Sequence, residues 1–581
     1  MTGLLQFSGT DHAGIQLINL TTAQRDALTP SEGMIIYNST LDKVQKYENS
    51  VWVDVGMSPA TKVVASASSG YAADYYTDGT ADDVQIQAAI DAVNTSGGGS
   101  VYIKVGTYNI NAKVTIPSNI TIGGDGFVTI LKAVNSFSNT INMLENSDTI
   151  NGNSNIIVKD LKIDGNRANR TATTTDEQGS NIMYKKCTNC VMENIFSTDS
   201  PNVNIILAQG TTFSIVKNCF VTNASNHNLL LLGTSGGIEC KKNIVSGNIV
   251  TGAGTGLVQG VNIELAIYAT YNTITNNVCD SALEGGIHVY YRSNHNSIVG
   301  NICSSNSQNG ISIVDESDYN TISANEIVSS GNGGIVATTA DLTYGGKFNE
   351  ITDNIIYDPA KNGIKGTLDG STIKGNFIYG AGDSGTGTQK HGIYLTGSDD
   401  VRIIGNYVIS SADRGYYFTD ISQCVIEGNF SSSNTTQGFI FDHSSIGQLD
   451  CVIINNVSVS NSSHGFLFFK GATRCTINGN ISRSNTGAGF DIRGATDCSF
   501  SNNISSGNTT IGMDIKNDAA STGSTGNVFV GNRVTGNTTA GIKETLAADY
   551  NIYSGNQCNG NTAANFATIG ANNQIAHNIT A

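Results

Sequence analysis

From about residue 190 onward the chain repeats one alternation of apolar and polar positions. A short β-branched run such as "TRCTI" leads to an asparagine and a Ser/Asn/Gly turn, and then a glycine opens an alternating run such as "GFLFFK", "GFDIRG" or "GMDIKN". Alternation with period two predicts strands rather than helices. The repeat asparagines are Asn194, Asn218, Asn248, Asn277, Asn301, Asn325, Asn354, Asn376, Asn406, Asn429, Asn456, Asn480, Asn503, Asn532, Asn556 and Asn578. Their mean spacing is about 25 to 26 residues, the range of solenoids and arrays. A propeller blade needs about 40 residues and a leucine-rich unit its own leucine spacing. Three short strands per unit therefore predict an all-β, right-handed, single-stranded parallel β-helix, with about 4.8 Å between coils. Stacked at one turn of every coil, the asparagines are expected to form an amide ladder. Cys424, Cys451, Cys475 and Cys498 precede it by five residues and are expected to stack inward, as are Phe439, Phe466 and Phe490 after the strand glycine.

The pattern differs nearer the N-terminus. In "YTDGTADDVQIQAAIDAVNTSGGGSVYIKVGTYNI", Ile86, Ala89, Ile90 and Val93 share one helical face, Thr80 is the expected N-cap and "SGGG" the stop. A helix there caps the apolar end of the first coil. The organisation predicted is a module over residues 1–57, a linker and approach over 58–77 containing most of "GMSPATKVVASASSG", a capping helix and first strands over 78–109, and the β-helix over 110–581.

Composition narrows the partners. The net charge is −16 with 13 % charged residues, so no basic face for nucleic acid is expected. No apolar run reaches the roughly 18 residues of a membrane span, so no membrane insertion is expected, and the N-terminus lacks the order of a signal peptide. Eleven cysteines, an odd number in a long chain, predict reduced thiols and assembly in a cytosol. Cys187 and Cys190 in "KCTNC" have no second pair at zinc spacing, so they are expected to fill core, with no metal or cofactor.

The segment Asp78 to Ile110, together with "LKIDGNRANRT", resembles the start of the pectate-lyase-superfamily β-helix of bacteriophage tailspikes. Leu20 to Gly56 resembles a short module found near the start of phage tail and fibre proteins. The resemblance implies a homotrimeric spike in the virion tail, assembled in the host cytoplasm. It would attach to a tail or baseplate protein through the N-terminal module and bind, often cleave, a bacterial surface polysaccharide. One departure is that the ladder runs to Asn578, where such spikes usually carry a C-terminal trimer-locking domain; that domain is expected to be missing or processed off, or the trimer to be held along the coils.

Candidate chemistry lies where the repeat becomes irregular. Aligning strands on their glycine puts Asn262 and His288 in one outward row and Glu264 and Tyr290 in the next, with Arg292 and Glu316 nearby. For a lyase or epimerase, Arg292 or His288 would neutralise a uronate carboxylate while Tyr290 and His288 handle protons. For a hydrolase, Glu264 and Glu316 would supply the two carboxylates. Tyr394, Tyr417 and Asp442 form a second patch, expected to bind sugar. The acidic balance favours a weakly charged glycan and hydrolysis over elimination. The alternatives are a non-catalytic glycan-binding or structural fibre and a bacterial polysaccharide lyase or epimerase.

Overall fold

The computed structural model describes residues 17–41, 43–48, 50–54, 61–171, 177–254, 260–337, 346–382, 390–443, 450–518, 523–545, 548–567 and 570–580. Their dominant feature is a right-handed parallel β-helix. One sheet stacks 18 strands, from Val114–Ile116 to Ala564–Ala567, each paired in parallel with its counterpart in the next coil. Two further stacks run alongside it, for example Val452–Ile454 and Val457–Val459 within one coil. In the 18-stranded sheet the first and third positions of a strand such as Phe490–Arg493 face the interior, Phe490 and Ile492 being buried apolar residues while Asp491 and Arg493 lie on the outer side; in the two further stacks the middle position does so, as at Ile453.

The corner between those two stacks carries the repeat's asparagine. Asn456 Nδ2 donates to Ile426 O at 2.8 Å and Asn480 Oδ1 at 2.9 Å, and its Oδ1 accepts from Asn429 N–H at 3.0 Å and Asn429 Nδ2 at 2.9 Å. The ladder runs in this way from Asn248 to Asn578, in steps of 22 to 30 residues. The preceding residue turns the corner with a left-handed backbone, φ 57° at Asn455 and 66° at Gly479, which accounts for the Gly or Asn before so many ladder positions. Asn194 and Asn218 do not belong to it. Asn218 is itself a left-handed corner residue, φ 53°, and Cys219 occupies the ladder place, its N–H donating to Asn248 Oδ1 at 2.9 Å.

Two more asparagine rows flank the first. Five residues after it, Asn434, Asn461, Asn485, Asn508 and Asn537 are linked by amide bonds of 2.7–3.1 Å. Five residues before it, Asn243, Asn272 and Asn296 form a row that the cysteines Cys424, Cys451, Cys475 and Cys498 continue, all buried. Phe439, Phe466 and Phe490 stack at 4.8 Å with 6° between rings, and Tyr416 extends the pile at 4.4 Å. Cys187 and Cys190 are core residues, 0 % exposed.

A helix over Asp83–Thr95 packs Ile86, Ala89, Ile90 and Val93 against the first coils. Its N-cap is Asp82, not Thr80. The Asp82 carboxylate does not cap the helix; it accepts the Gly79 and Asn109 N–H groups at 2.8 and 2.7 Å and ties the helix start to the solenoid. The strand Thr61–Ser66 lies within the expected linker and pairs with Gly99–Ile103, so the solenoid begins upstream of residue 110. The strands Ile18–Leu20, Ile35–Asn38, Lys43–Glu48 and Val51–Asp54 form a separate four-stranded sheet, with a helix over Thr22–Asp26 held by a Thr21/Gln24 capping box.

Candidate active site

The outer face of the 18-stranded sheet carries Glu264, His288 and Tyr290. Glu264 pairs directly with His288, and Ala266 with Tyr290, a register two residues away from the one expected. The glycine alignment slipped because Asn262 stands where later coils have Gly286 or Gly310. Asn262 points inward, accepting from Asn228 at 3.0 Å and donating to Asp280 O at 2.9 Å. Later coils need glycine there because of close approach rather than φ: a Cβ on Gly489 would lie 2.0 Å from Ser505 Oγ.

Glu264 is 7 % exposed, with the apolar Leu230 beside it in the preceding coil. Two imidazoles flank its carboxylate: His227 Nε2 is 2.8 Å from Oε2, and His288 Nδ1 is 3.6 Å from Oε1. The first contact is short but not well aimed as a hydrogen bond. His227 Nδ1 accepts the Val261 N–H at 3.2 Å, so its Nε2 carries the proton and faces the carboxylate. Burial pushes the Glu264 carboxyl up, but His227 and then His288 more than offset it and hold the group below the usual carboxylate range. A carboxylate behind an imidazole orients the ring and compensates the charge it takes on with a proton. Tyr290 lies 5.6 Å from His288 between ring centres; burial, then Asp315 and Glu264, raise its phenol above the ordinary value, so it holds its proton.

His288 and Tyr290 open onto a groove of about 400 Å³ that runs over the next coils to Lys361 and Lys365, with Glu284 and Ser312 also in its wall. Burial, then the neighbouring Lys361, lower the Lys365 pKa. His227, Glu284 and Lys361 carried no signal in the repeat, because all three sit in turns. Lys365 falls in the outward row yet gave no sign of a groove beside it.

Of the other expected site residues, Tyr394 pairs with Lys365 at the far end of the groove, with Lys365 Nζ 5.8 Å from its ring centre, and the rest are placed apart from this centre. Arg292 and Glu316, with φ 56° and 58°, lie at the corner after their strands and pair with each other at 2.7 Å, while Arg292 also bonds the Tyr268 hydroxyl at 3.1 Å. Tyr394 and Tyr417 stack at 4.9 Å and 9°, and Arg414 sits 4.4 Å over the Tyr417 ring. Their ring faces are therefore largely covered, leaving edges and hydroxyls, and the Tyr417 hydroxyl already bonds Asp442 at 3.2 Å.

A family model described as periplasmic copper-binding protein (NosD) matches residues 234–381 and 370–580, together more than half of the chain. The chain belongs to the NosD family. Copper does not follow for this NosD member: among the described residues no group of three or more His, Cys, Asp and Glu side chains is placed to hold a metal ion, and the cysteines are sealed in the core. A rhamnogalacturonase A/epimerase, pectate lyase-like model matches residues 70–279, which include Glu264. Mannuronan C5-epimerase AlgE6 of Azotobacter vinelandii is 39 % identical over 101 residues, 16 % of this chain and only 12 % of the epimerase. Similar solved structures include an N-terminal fragment of bacteriophage phi29 gene product 12, at 13 % identity over 86 % of this chain and 91 % of that one, TM-score 0.47. Another is a mutant tailspike of E. coli bacteriophage HK620 with a pentasaccharide, at 11 % identity over 70 % and 74 %, TM-score 0.44.

Proposed function

We propose that the chain acts on a bacterial surface polysaccharide, and that the groove beside Glu264 moves the C5 proton of a uronate sugar. The observation that carries this reading is a buried carboxylate held between two imidazoles at the end of a groove whose far wall has two lysines. In this reading Lys361 and Lys365 hold the sugar carboxylate and take up the charge that develops on it. His288 accepts the C5 proton, with Glu264 orienting its ring and His227 holding Glu264. Tyr290 keeps its proton and is the acid. Given to the leaving oxygen at C4, that proton accompanies C4–O cleavage and a C4=C5 double bond; given to C5 from the opposite face, it inverts the centre without cleavage. The likeness to a C5-epimerase supports proton transfer at that carbon, over a short stretch.

The test is to incubate the protein with a panel of bacterial surface glycans and read ultraviolet absorbance, reducing ends and C5 configuration. Glu264→Gln and His288→Ala should each lower turnover by about a hundredfold or more, since general acid–base contributions are typically about 10² to 10⁴. Reducing ends without new absorbance would mean hydrolysis, with Glu284 as the carboxylate in reach. Turnover unchanged in both variants removes this centre.

In the same reading the chain is a phage tail component whose first residues, by their resemblance to tail and fibre modules, fasten it to the tail. Copies are expected to associate as a trimer; sedimentation of the full chain at monomer mass would remove that part.

A further inference from the structure

The two stacks that meet at the asparagine corner turn the first and third positions of their strands outward. In several coils these are threonine and serine, as in Thr273–Thr275 and Thr321–Ser323 of the first stack. One run of the second stack differs. From Ile355 through Phe377, Tyr407, Phe430 and Val457 to Ile504 its first position is apolar in seven successive coils, each strand paired with the next. A charge closes each end, Glu326 beside Ile355 and Arg533 beside Ile504. The third position adds Tyr357, Tyr379, Ile409 and Val459, interrupted by Ser432. Ile355, Tyr357, Tyr379 and Tyr407 are 37 to 50 % exposed, while the middle residues of the same strands, such as Ile356 and Val408, already fill the core. The outward rings meet at an angle and so leave one another's surfaces open: Tyr357 lies 5.9 Å from Phe377 and 6.4 Å from Tyr379, with 60° between planes in both pairs.

The shape of this stripe selects its partner. Six steps of about 4.8 Å make it roughly 29 Å long, and two rows of side chains make it about 10 Å wide, so its area is roughly 300 Å², the size at which an apolar patch marks a contact. Tyrosine-rich, apolar and free of charge, it has the composition of the core of a protein interface. A glycan needs more hydrogen-bonding groups than the two rows supply, which between Ile355 and Val459 are three tyrosine hydroxyls and Ser432. A globular partner would touch part of a straight row. A second copy of this chain with its axis parallel presents the same row, with the same repeat, over the whole length, and around a threefold axis along the solenoid each side chain meets its own counterparts at its own height. The groove stays open in such an assembly, because Glu264 and His288 belong to the outer face of a different sheet.

We propose that the stripe from Ile355 to Ile504 is where copies of the chain join, which rests on the reading that they associate as a trimer. Sedimentation of the full chain tests it. Tyr407→Lys and Val457→Lys each place like charges against one another and should shift the protein from trimer to monomer mass, while Thr321→Lys, on the other stack, should leave the trimer unchanged. Melting curves establish that each variant is folded. All eleven native cysteines are buried, so in Ser432→Cys the new thiol is the one a bismaleimide reaches, and it should link copies into covalent dimers; if the lysine variants do not fold, this variant decides, and no cross-link overturns the proposal. Folded lysine variants that remain trimeric overturn the contact and leave the trimer standing, and if they also lose glycan binding the stripe is a sugar platform instead. Dissociation by Thr321→Lys as well overturns the assignment to this face, and an unaltered chain at monomer mass removes trimer and contact together.

Discussion

The asparagine ladder gives a test whose size follows from the geometry. Asn456 is fully buried and makes four hydrogen bonds, two as donor and two as acceptor. Asn456→Leu keeps roughly the same volume and loses all four. The Asn429 backbone N–H and one Asn429 amide hydrogen are then left buried without their acceptor, and the Ile426 carbonyl loses its amide donor. Each buried group left unmade costs about 1 to 3 kcal/mol, and the apolar side chain recovers about 1.5 to 3 kcal/mol by its burial. Taking the middle of each range, the net loss expected is about 4 kcal/mol. Asn456→Asp should be worse, because it keeps the acceptor but directs a charged oxygen at Asn480 Oδ1 and the Ile426 carbonyl oxygen. Each coil touches only its neighbours, so the loss should be concentrated around the altered coil. Guanidinium unfolding measures the total, and hydrogen exchange across residues 425–480 locates it. A loss under about 0.5 kcal/mol for the leucine variant, with protection in those coils unchanged, would refute the view that the ladder stabilises the corner.

Two other outcomes are expected. His391 is buried, and burial, then Arg414 and Lys365, push its pKa down to about 3. The unfolded chain binds this proton below about pH 6.5 and the folded chain does not until about pH 3, so stability falls by about 1.4 kcal/mol per pH unit across that window. His391→Gln should remove about 3 kcal/mol of the acid destabilisation between pH 6.5 and pH 4 in urea titrations; curves parallel to those of the unaltered protein would contradict this. Deleting residues 1–60 should leave the β-helix folded and glycan binding intact, and a folded truncation that no longer binds glycan would reverse the roles assigned to the two parts.

Much of the architecture was legible because it is periodic along the chain. The alternation fixes strands, the asparagine spacing fixes the coil length, and Phe439, Phe466 and Phe490 recur at one place in the unit and therefore stack. The capping helix follows from Ile86, Ala89, Ile90 and Val93 on one face. The two flanking asparagine rows are also present in the sequence, five residues to either side, but they are masked where cysteine or serine takes the same place.

What the sequence could not decide is which residues of neighbouring coils face each other. Coils measure 22 to 30 residues along the ladder but 34 from Leu230 to Glu264 and 38 from Leu144 to Ile182, and the extra residues fall in turns, so lateral register depends on how each turn closes. That is why Cys219 rather than Asn218 begins the ladder's line, and why Glu264 meets His288 rather than aligning with Tyr290. It is also why His227, a turn residue in the coil before, became a partner of the buried carboxylate, and why Arg292 and Glu316 paired around the corner. Sequence periodicity specifies the rows along the solenoid; the tertiary structure alone sets which members of those rows touch, because contacts between coils join residues some two dozen positions apart through turns of unequal length.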